Sequence, residues 1–205
     1  MRKSTVICST LLVWVILAPA VAEIKLPAIV SSNMVLQRNT SVVLWGWADP
    51  GEKISVEASW LSEPKSTTTD DAGNWKIEVT TDDSKEPHNI RIKGEAQEII
   101  LENILLGEVW VCSGQSNMQQ PLRGYQGQPT FGSTMAVAKS RNPNLRLFTV
   151  DRVGSKTPLK DLDKYNGWQE SSPENALDFS AVAYFFGSQL QEILGVPVGM
   201  IHTSW

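Results

Sequence analysis

A short run of small polar residues follows an apolar segment near the middle of the sequence. Val109–Val111 is β-branched and aromatic, as in a buried strand, and Ser113–Met118 then supplies serine, glycine, glutamine and asparagine. This pattern predicts a strand that ends in a tight turn and leads into a helix. Ser116 would then lie at the carboxyl edge of a sheet, beside backbone N–H groups that the helix leaves unpaired.

These features suit a serine nucleophile. Free N–H groups can stabilise the negative oxygen that forms when a hydroxyl attacks an ester carbonyl, and the helix dipole would favour the same charge. The segment differs from the Gly-x-Ser-x-Gly elbow, because Asn117 and Met118 stand where that motif has its second glycine. The alternative is that Ser113, Ser116 and Asn117 only cap a helix.

A serine hydroxyl also needs a base within hydrogen-bond reach, usually a histidine. The chain has two histidines. His88 lies in the polar segment 86–89, where we expect an exposed loop residue. His202 follows the apolar segment Val198–Ile201. If that segment is a strand parallel to the Ser116 strand, both open on the same sheet edge. His202 is therefore a candidate base, although lining the cleft or ordering a loop is the favoured role.

The composition is that of an ordinary globular protein. The 205 residues carry a formal charge of −4, the pI is near 5.3, and 41% of the residues are hydrophobic. Such mild acidity gives no reason to expect a nucleic-acid partner, which would need a basic surface. No metal or organic cofactor is predicted, because no residues have metal-ligand spacing.

Residues 1–22 have the pattern of a signal peptide. Two basic residues precede the apolar run Val6–Ala18, and Ala20–Ala22 supplies small residues for cleavage. The run is too short for a comfortable membrane span, so we expect a chain exported to a periplasm or the outside. An uncleaved anchor is the alternative. Cys8 would leave with the signal, and Cys112, as the only remaining cysteine, could form no intrachain disulfide and would serve packing.

Two regions with different patterns follow. Residues 23–104 contain short alternating strands separated by Gly, Asp and Asn turns, which indicates a β-sandwich accessory domain. Residues 105–205 alternate strand and helix, which indicates the first part of a parallel α/β domain. Within this second region, Lys156–Ser172 is polar and predicts a long surface loop.

One helix of the second region is well marked. Apolar residues recur at helical spacing from Phe179 to Ile193, which predicts an amphipathic helix with that face buried. Asp178 or Ser180 can cap its start, and Gly195 can end it.

Four separated blocks, in the same order along the chain, resemble the sialate O-acetylesterase family, carbohydrate acetylesterases of the SGNH-hydrolase type. The blocks are Asn33–Gln37, Val43–Gly51, Gly107–Trp110 with Ser113–Met118, and Phe179–Gly187 with Gly195–Gly199.

The resemblance implies that Ser116 is the nucleophile and that its backbone N–H is one oxyanion donor. Gln115 and Asn117 would shape the turn or reach the oxyanion, and Met118 and His202 would line the cleft. The family often has Asn where His202 stands. Its glycine-rich block, its Asn-bearing block and its Asp-x-x-His pair, which supply the base and most oxyanion donors, are not in this sequence.

We therefore expect a β-sandwich followed by the truncated first part of a flavodoxin-like SGNH hydrolase domain, from an exported enzyme that removes acetyl groups from carbohydrates. Acetylated sialic acids, xylan and other acetylated sugars are all compatible as substrates. The alternative is a non-catalytic glycan-binding sandwich with an inert α/β remnant. Its binding residues would be the tryptophans Trp45, Trp47, Trp60 and Trp75.

Overall fold

The computed structural model describes residues 23–205. The predicted signal peptide and Cys8 lie outside the described residues. Within the described range, no helix is both long and apolar enough to cross a membrane.

Ten strands and four helices make up residues 23–205. The strands are β1 (Val35–Gln37), β2 (Ser41–Trp47), β3 (Lys53–Ala58), β4 (Lys65–Thr68), β5 (Asn74–Thr80), β6 (His88–Lys93), β7 (Glu98–Gly114), β8 (Asn142–Thr149), β9 (Gln169–Ser171) and β10 (Val198–Ser204). The helices are α1 (Ser116–Gln119), α2 (Ser133–Ala138), α3 (Pro173–Leu177) and α4 (Ala181–Leu194).

Eight strands form one mixed sheet in the order β4-β3-β6-β7-β10-β8-β9, with β1 beside β7. The β4-β3-β6-β7 part is antiparallel, whereas β10 runs parallel to both β7 and β8. β2 and β5 form a separate antiparallel pair. Alternate residues of this pair and of β3 and β6 fill one apolar core, in the region for which the sequence predicts a sandwich. They are Leu44, Ile54, Val56, Trp75, Ile77, Val79, Ile90 and Ile92.

The long strand β7 joins the antiparallel and parallel parts of the sheet. It pairs with β6 as far as Ile104 and with β10 from Glu108 onward. The strand predicted at Val109–Val111 is therefore the last part of a strand that begins in the region assigned to the sandwich. The intervening residues Ile104, Leu105 and Leu106 are buried, so the strand continues through them. The expected domain limit near residue 104 therefore falls inside one strand, and the division into two domains stays a prediction.

Helix α4 covers one face of the parallel strands. Ser180 caps it by accepting a hydrogen bond from the Ala183 N–H, and Gly195 ends it with a φ of 61°, as the sequence predicts. Gly187 lets the helix approach β10 closely, because a Cβ there would come 2.7 Å from Met200.

The predicted buried face of α4 is only partly correct. Val182, Phe186 and Ile193 are exposed, whereas Ala183 and Tyr184 are buried. The helix is apolar on two sides, and only one of them packs on the sheet. Helical spacing alone cannot tell which side that is.

The predicted surface loop Lys156–Ser172 is tied to the amino-terminal segment. Its last residues form β9, and Trp168 is buried with its indole N–H donating to the Ile29 carbonyl at 2.8 Å. Asp161 accepts a hydrogen bond of 2.9 Å from the Ala28 N–H. These contacts tie the loop to residues 28 and 29 from Asp161 onward, and residues 156–160 are exposed.

Candidate active site

Ser116 stands at the carboxyl end of β7, where the sequence predicts it. The strand ends at Gly114, Ser116 is the first residue of α1, and its side chain is exposed. β10 lies beside β7 in parallel, with Ser204 opposite Gly114. The carboxyl ends of both strands therefore open on one edge, and His202 lies opposite Cys112, two residues before that edge.

The turn at Ser116 lacks a side-chain cap. The N-cap residue is Gln115, and no side chain accepts a capping hydrogen bond from α1. The alternative role of Ser113, Ser116 and Asn117 as helix caps is therefore not realised. The N–H groups at the start of α1 have no acceptor within the helix. Since α1 has only four residues, few peptide dipoles align, and the expected help from a helix dipole is small.

Gln115 and Asn117 are both exposed beside Ser116. Met118 is half-buried. Its sulfur accepts a hydrogen bond of 3.3 Å from the Ser180 hydroxyl and packs in the core under α4. Met118 thus anchors α1, and its predicted place in a cleft stays a prediction.

His202 is buried and already engaged. Its Nε2 lies 3.0 Å from the Ser204 hydroxyl oxygen, and that hydroxyl donates to the side-chain oxygen of Gln119. Its Nδ1 is buried with no hydrogen-bond partner among the described residues, and the edge of its ring meets Phe179. Burial lowers the pKa of His202, and the Met118 backbone opposes this shift more weakly.

Burial favours the neutral imidazole of His202, and its Nε2 faces the Ser204 hydroxyl. No side chain in residues 23–205 is hydrogen-bonded to the Ser116 hydroxyl. The chain therefore brings His202 to the correct sheet edge without making it a base for Ser116. The arrangement suits the favoured role of ordering the neighbouring segment.

The prediction that His88 is an exposed loop residue is wrong. It is the first residue of β6, half-buried, with Nδ1 2.9 Å from the Ser59 hydroxyl and its ring against Trp60. It pairs with Ile104, which on an extended strand is about 30 Å from Gly114. His88 is thus too far from Ser116 to act as its base.

Cys112 has the packing role that the sequence predicts. It is a free, buried cysteine opposite His202, and burial raises the pKa of its thiol. No group of three or more His, Cys, Asp or Glu residues between positions 23 and 205 could hold a metal ion.

The tryptophans of the glycan-binding alternative do not form one exposed surface. Trp75 is only 3% exposed, Trp47 and Trp60 are half-buried, and the Trp60 indole donates to the Thr80 carbonyl. Only Trp45, at 39%, is exposed. A stacking platform needs ring faces open to a sugar, and these residues mostly pack instead.

Three residues are not found by sequence reasoning, two of them beside the site and the third, Glu108, about 20 Å away at the other end of the parallel part of β7. Gln119 and Ser204 link α1 to β10, and Glu108 fixes the start of the parallel part of β7 by accepting from Gln37 and Arg38, each at 2.9 Å. These hydrogen bonds lower the pKa of Glu108. Glu108 lies in a block that carries the family resemblance, and this was the only available signal.

Comparison with known proteins confirms the resemblance to sialate O-acetylesterases. No protein-family model matches the chain. The sialate O-acetylesterases of Mus musculus and Homo sapiens are each 28% identical to it over 86% of its length. The chain covers 35% and 36% of those proteins, about a third of their length.

A solved structure shows the same likeness. The crystal structure of a carbohydrate acetylesterase from Xanthomonas citri matches 89% of this chain with a TM-score of 0.82 and 31% sequence identity. The match covers 40% of that protein. The mixed sheet with its helices therefore closely matches part of that acetylesterase structure.

Proposed function

We propose that this chain carries the nucleophile of an exported carbohydrate O-acetylesterase and that Ser116 is that nucleophile. The observation that carries the proposal is the exposed Ser116 at the carboxyl end of β7, in a chain similar to proteins named as acetylesterases. A hydroxyl at that edge can be reached by substrate, and the free N–H groups of α1 lie beside it.

In the proposed reaction, the Ser116 Oγ attacks the acetyl carbonyl and forms an acetyl-enzyme as the sugar hydroxyl leaves. Water then releases acetate and restores the serine. The Ser116 N–H is one donor to the oxyanion, and Gln115 or Asn117 shapes the turn or adds a second donor. The acetylated sugar binds at the same sheet edge.

We further propose that the base comes from an Asp/His block downstream of Trp205 in the whole protein. Two observations support this. Neither histidine of the described chain is placed to serve Ser116, and the outer edge of β7 is covered by β1 only at Leu105–Gly107. Beyond that point the side chains of Trp110 and Val111, which point to opposite faces of the sheet, are 44% and 66% exposed, as expected where both faces lack part of their cover.

An imidazole-rescue assay tests the proposal. Residues 23–205 should release no acetate from acetylated sugars or p-nitrophenyl acetate above the rate of Ser116→Ala, because missing oxyanion donors each cost on the order of a hundredfold and the base is absent. Added imidazole should restore an acetyl release that needs Ser116. Ser113→Ala, three residues away, is the matched control and should behave as the parent chain. Equal rates for the parent chain and Ser116→Ala at every imidazole concentration would contradict the proposal.

Export is tested separately. If residues 1–22 are a signal peptide, the mature protein recovered outside the cytoplasm begins at Glu23. An intact mass that includes residues 1–22 would favour the uncleaved anchor.

A further inference from the structure

A chain of three buried or half-buried side chains connects β10 to the helix that begins at Ser116. His202 and Ser204 lie two residues apart and so on one face of β10, with Nε2 and the hydroxyl oxygen 3.0 Å apart. The Ser204 hydroxyl donates to Gln119, the last residue of α1. The link therefore joins residues that are 85 positions apart in sequence.

The direction of this chain follows from its protons. The Gln119 side-chain oxygen can only accept, so it takes the single proton of the Ser204 hydroxyl. The Ser204 oxygen must then accept from His202, whose Nε2 carries the proton of a neutral ring. His202 Nδ1 is buried with no partner at hydrogen-bond geometry among the described residues, although the Met118 backbone lies close enough to the ring to favour its protonated form.

Helix α1 needs such a link. A single turn of four residues is too short to be stable alone, and its N-terminus has no side-chain cap. Its register is held instead by neighbours. Met118 accepts from Ser180, the Gln120 carbonyl accepts from the Ala181 N–H at 2.8 Å, and Gln119 accepts from Ser204. Of these three anchors, the Ser204–Gln119 hydrogen bond comes from β10, the strand directly beside β7, and the His202 ring on the same strand also interacts with the Met118 backbone.

We propose that His202 and Ser204 are positioning residues for Ser116. The neutral His202 ring orients the Ser204 hydroxyl, which holds Gln119 and so fixes α1 and its first residue at the edge of the sheet. The role of Ser116 in this proposal rests on the proposed function, whereas the positioning of α1 rests only on these hydrogen bonds.

Backbone hydrogen exchange of the purified chain tests this. Ser204→Ala should speed exchange of the Gln119 and Gln120 amides about tenfold, because a buried amide oxygen loses its donor. Ser204→Thr keeps the hydroxyl and should restore parent rates. His202→Gln, which can still present a donor to Ser204, should lie between the parent and His202→Leu.

Amides of α4 serve as the internal reference. Faster exchange in α1 alone supports the proposal. Equal acceleration of exchange in α1 and α4 overturns it, because the Ser204 hydroxyl would then contribute only to global stability. No acceleration in either helix also overturns it, because the hydroxyl would then not stabilise α1.

The ¹⁵N chemical shifts of the His202 ring nitrogens are a second measurement, and a change in general packing alone would not alter them. The ¹⁵N shifts of His202 should show a neutral ring protonated at Nε2, and Ser204→Ala should change them. A ring protonated at Nδ1 would reverse the hydrogen-bond chain and overturn the assignment. Ser116→Ala should leave all of these measurements unchanged, so they remain informative even if Ser116 proves not to be a nucleophile.

Discussion

Arg146, on β8, is a charged side chain in the interior and only 2% exposed. Its guanidinium donates to the Pro143 carbonyl at 2.7 Å and to the side-chain oxygens of Asn33 and Asn103, both at 3.2 Å. Glu170 lies 3.3 Å away with 49% of its side chain exposed. Burial lowers the pKa of Arg146, and the charge of the Glu170 carboxylate opposes that shift.

We predict that Arg146→Ala lowers the free energy of unfolding by about 3 kcal/mol. The Asn33 oxygen keeps a second donor, since the Asn103 amide lies 2.7 Å from it, so two acceptors lose their partner. Each such buried acceptor costs about 1–2 kcal/mol, and the cavity adds to this. Arg146→Met fills most of the cavity and removes the cost of burying a charge, so it should destabilise by less, about 1–2 kcal/mol.

Glu170→Gln is the matched control. Its carboxylate is half exposed, and a solvent-screened pair contributes at most about 1 kcal/mol. Urea unfolding followed by tryptophan fluorescence measures all three variants under one set of conditions. A cost below about 1 kcal/mol for Arg146→Ala, or a larger cost for Glu170→Gln than for Arg146→Ala, would refute this reasoning.

Three further outcomes are expected. Because the folded pKa of Glu108 is lowered, its hydrogen bonds stabilise the fold above its unfolded pKa of about 4.5, and that stability is lost as pH falls through the folded pKa. Glu108→Gln should therefore reduce the change in the free energy of unfolding, measured with urea, between pH 6 and pH 3. An unchanged pH dependence would contradict this prediction. The folded pKa of His202 is also lowered, and only the uncharged Cys112 faces it from β7. Stability should therefore decline as pH drops below about 6.5, where the unfolded state binds the proton first, and His202→Gln should remove that decline. Gly187→Ala should cost about 1–3 kcal/mol, because its Cβ would lie 2.7 Å from Met200, whereas a melting temperature equal to that of the parent chain would show that α4 can shift freely.

Local features of the sequence predicted local structure well. The strand-turn-helix at Ser116, the cap at Ser180 and the stop at Gly195 each depend on a few neighbouring residues, and all are present. The parallel placement of β10 beside β7 also follows from the alternation of strand and helix.

Features that depend on distant residues were not predicted. The burial of Arg146 depends on Asn33 and Asn103, which are 113 and 43 positions away, and a lone arginine in a strand otherwise suggests an exposed face. The exposure of Phe186 depends on which side of α4 meets the sheet. Gln119 and Ser204 are polar residues that are far apart in sequence, and no sequence pattern predicts the hydrogen bond between them.

The central claim is that this chain holds an acyl-accepting serine separated from its base. The most direct test locates the acetyl group after residues 23–205 are exposed to p-nitrophenyl acetate with imidazole and digested for mass spectrometry. We predict acetylation of the hydroxyl of Ser116 that rises with imidazole concentration and is unaffected by Ser113→Ala. Acetyl groups found only on lysines, or on Ser113 with Ser116 unmodified, would contradict the account.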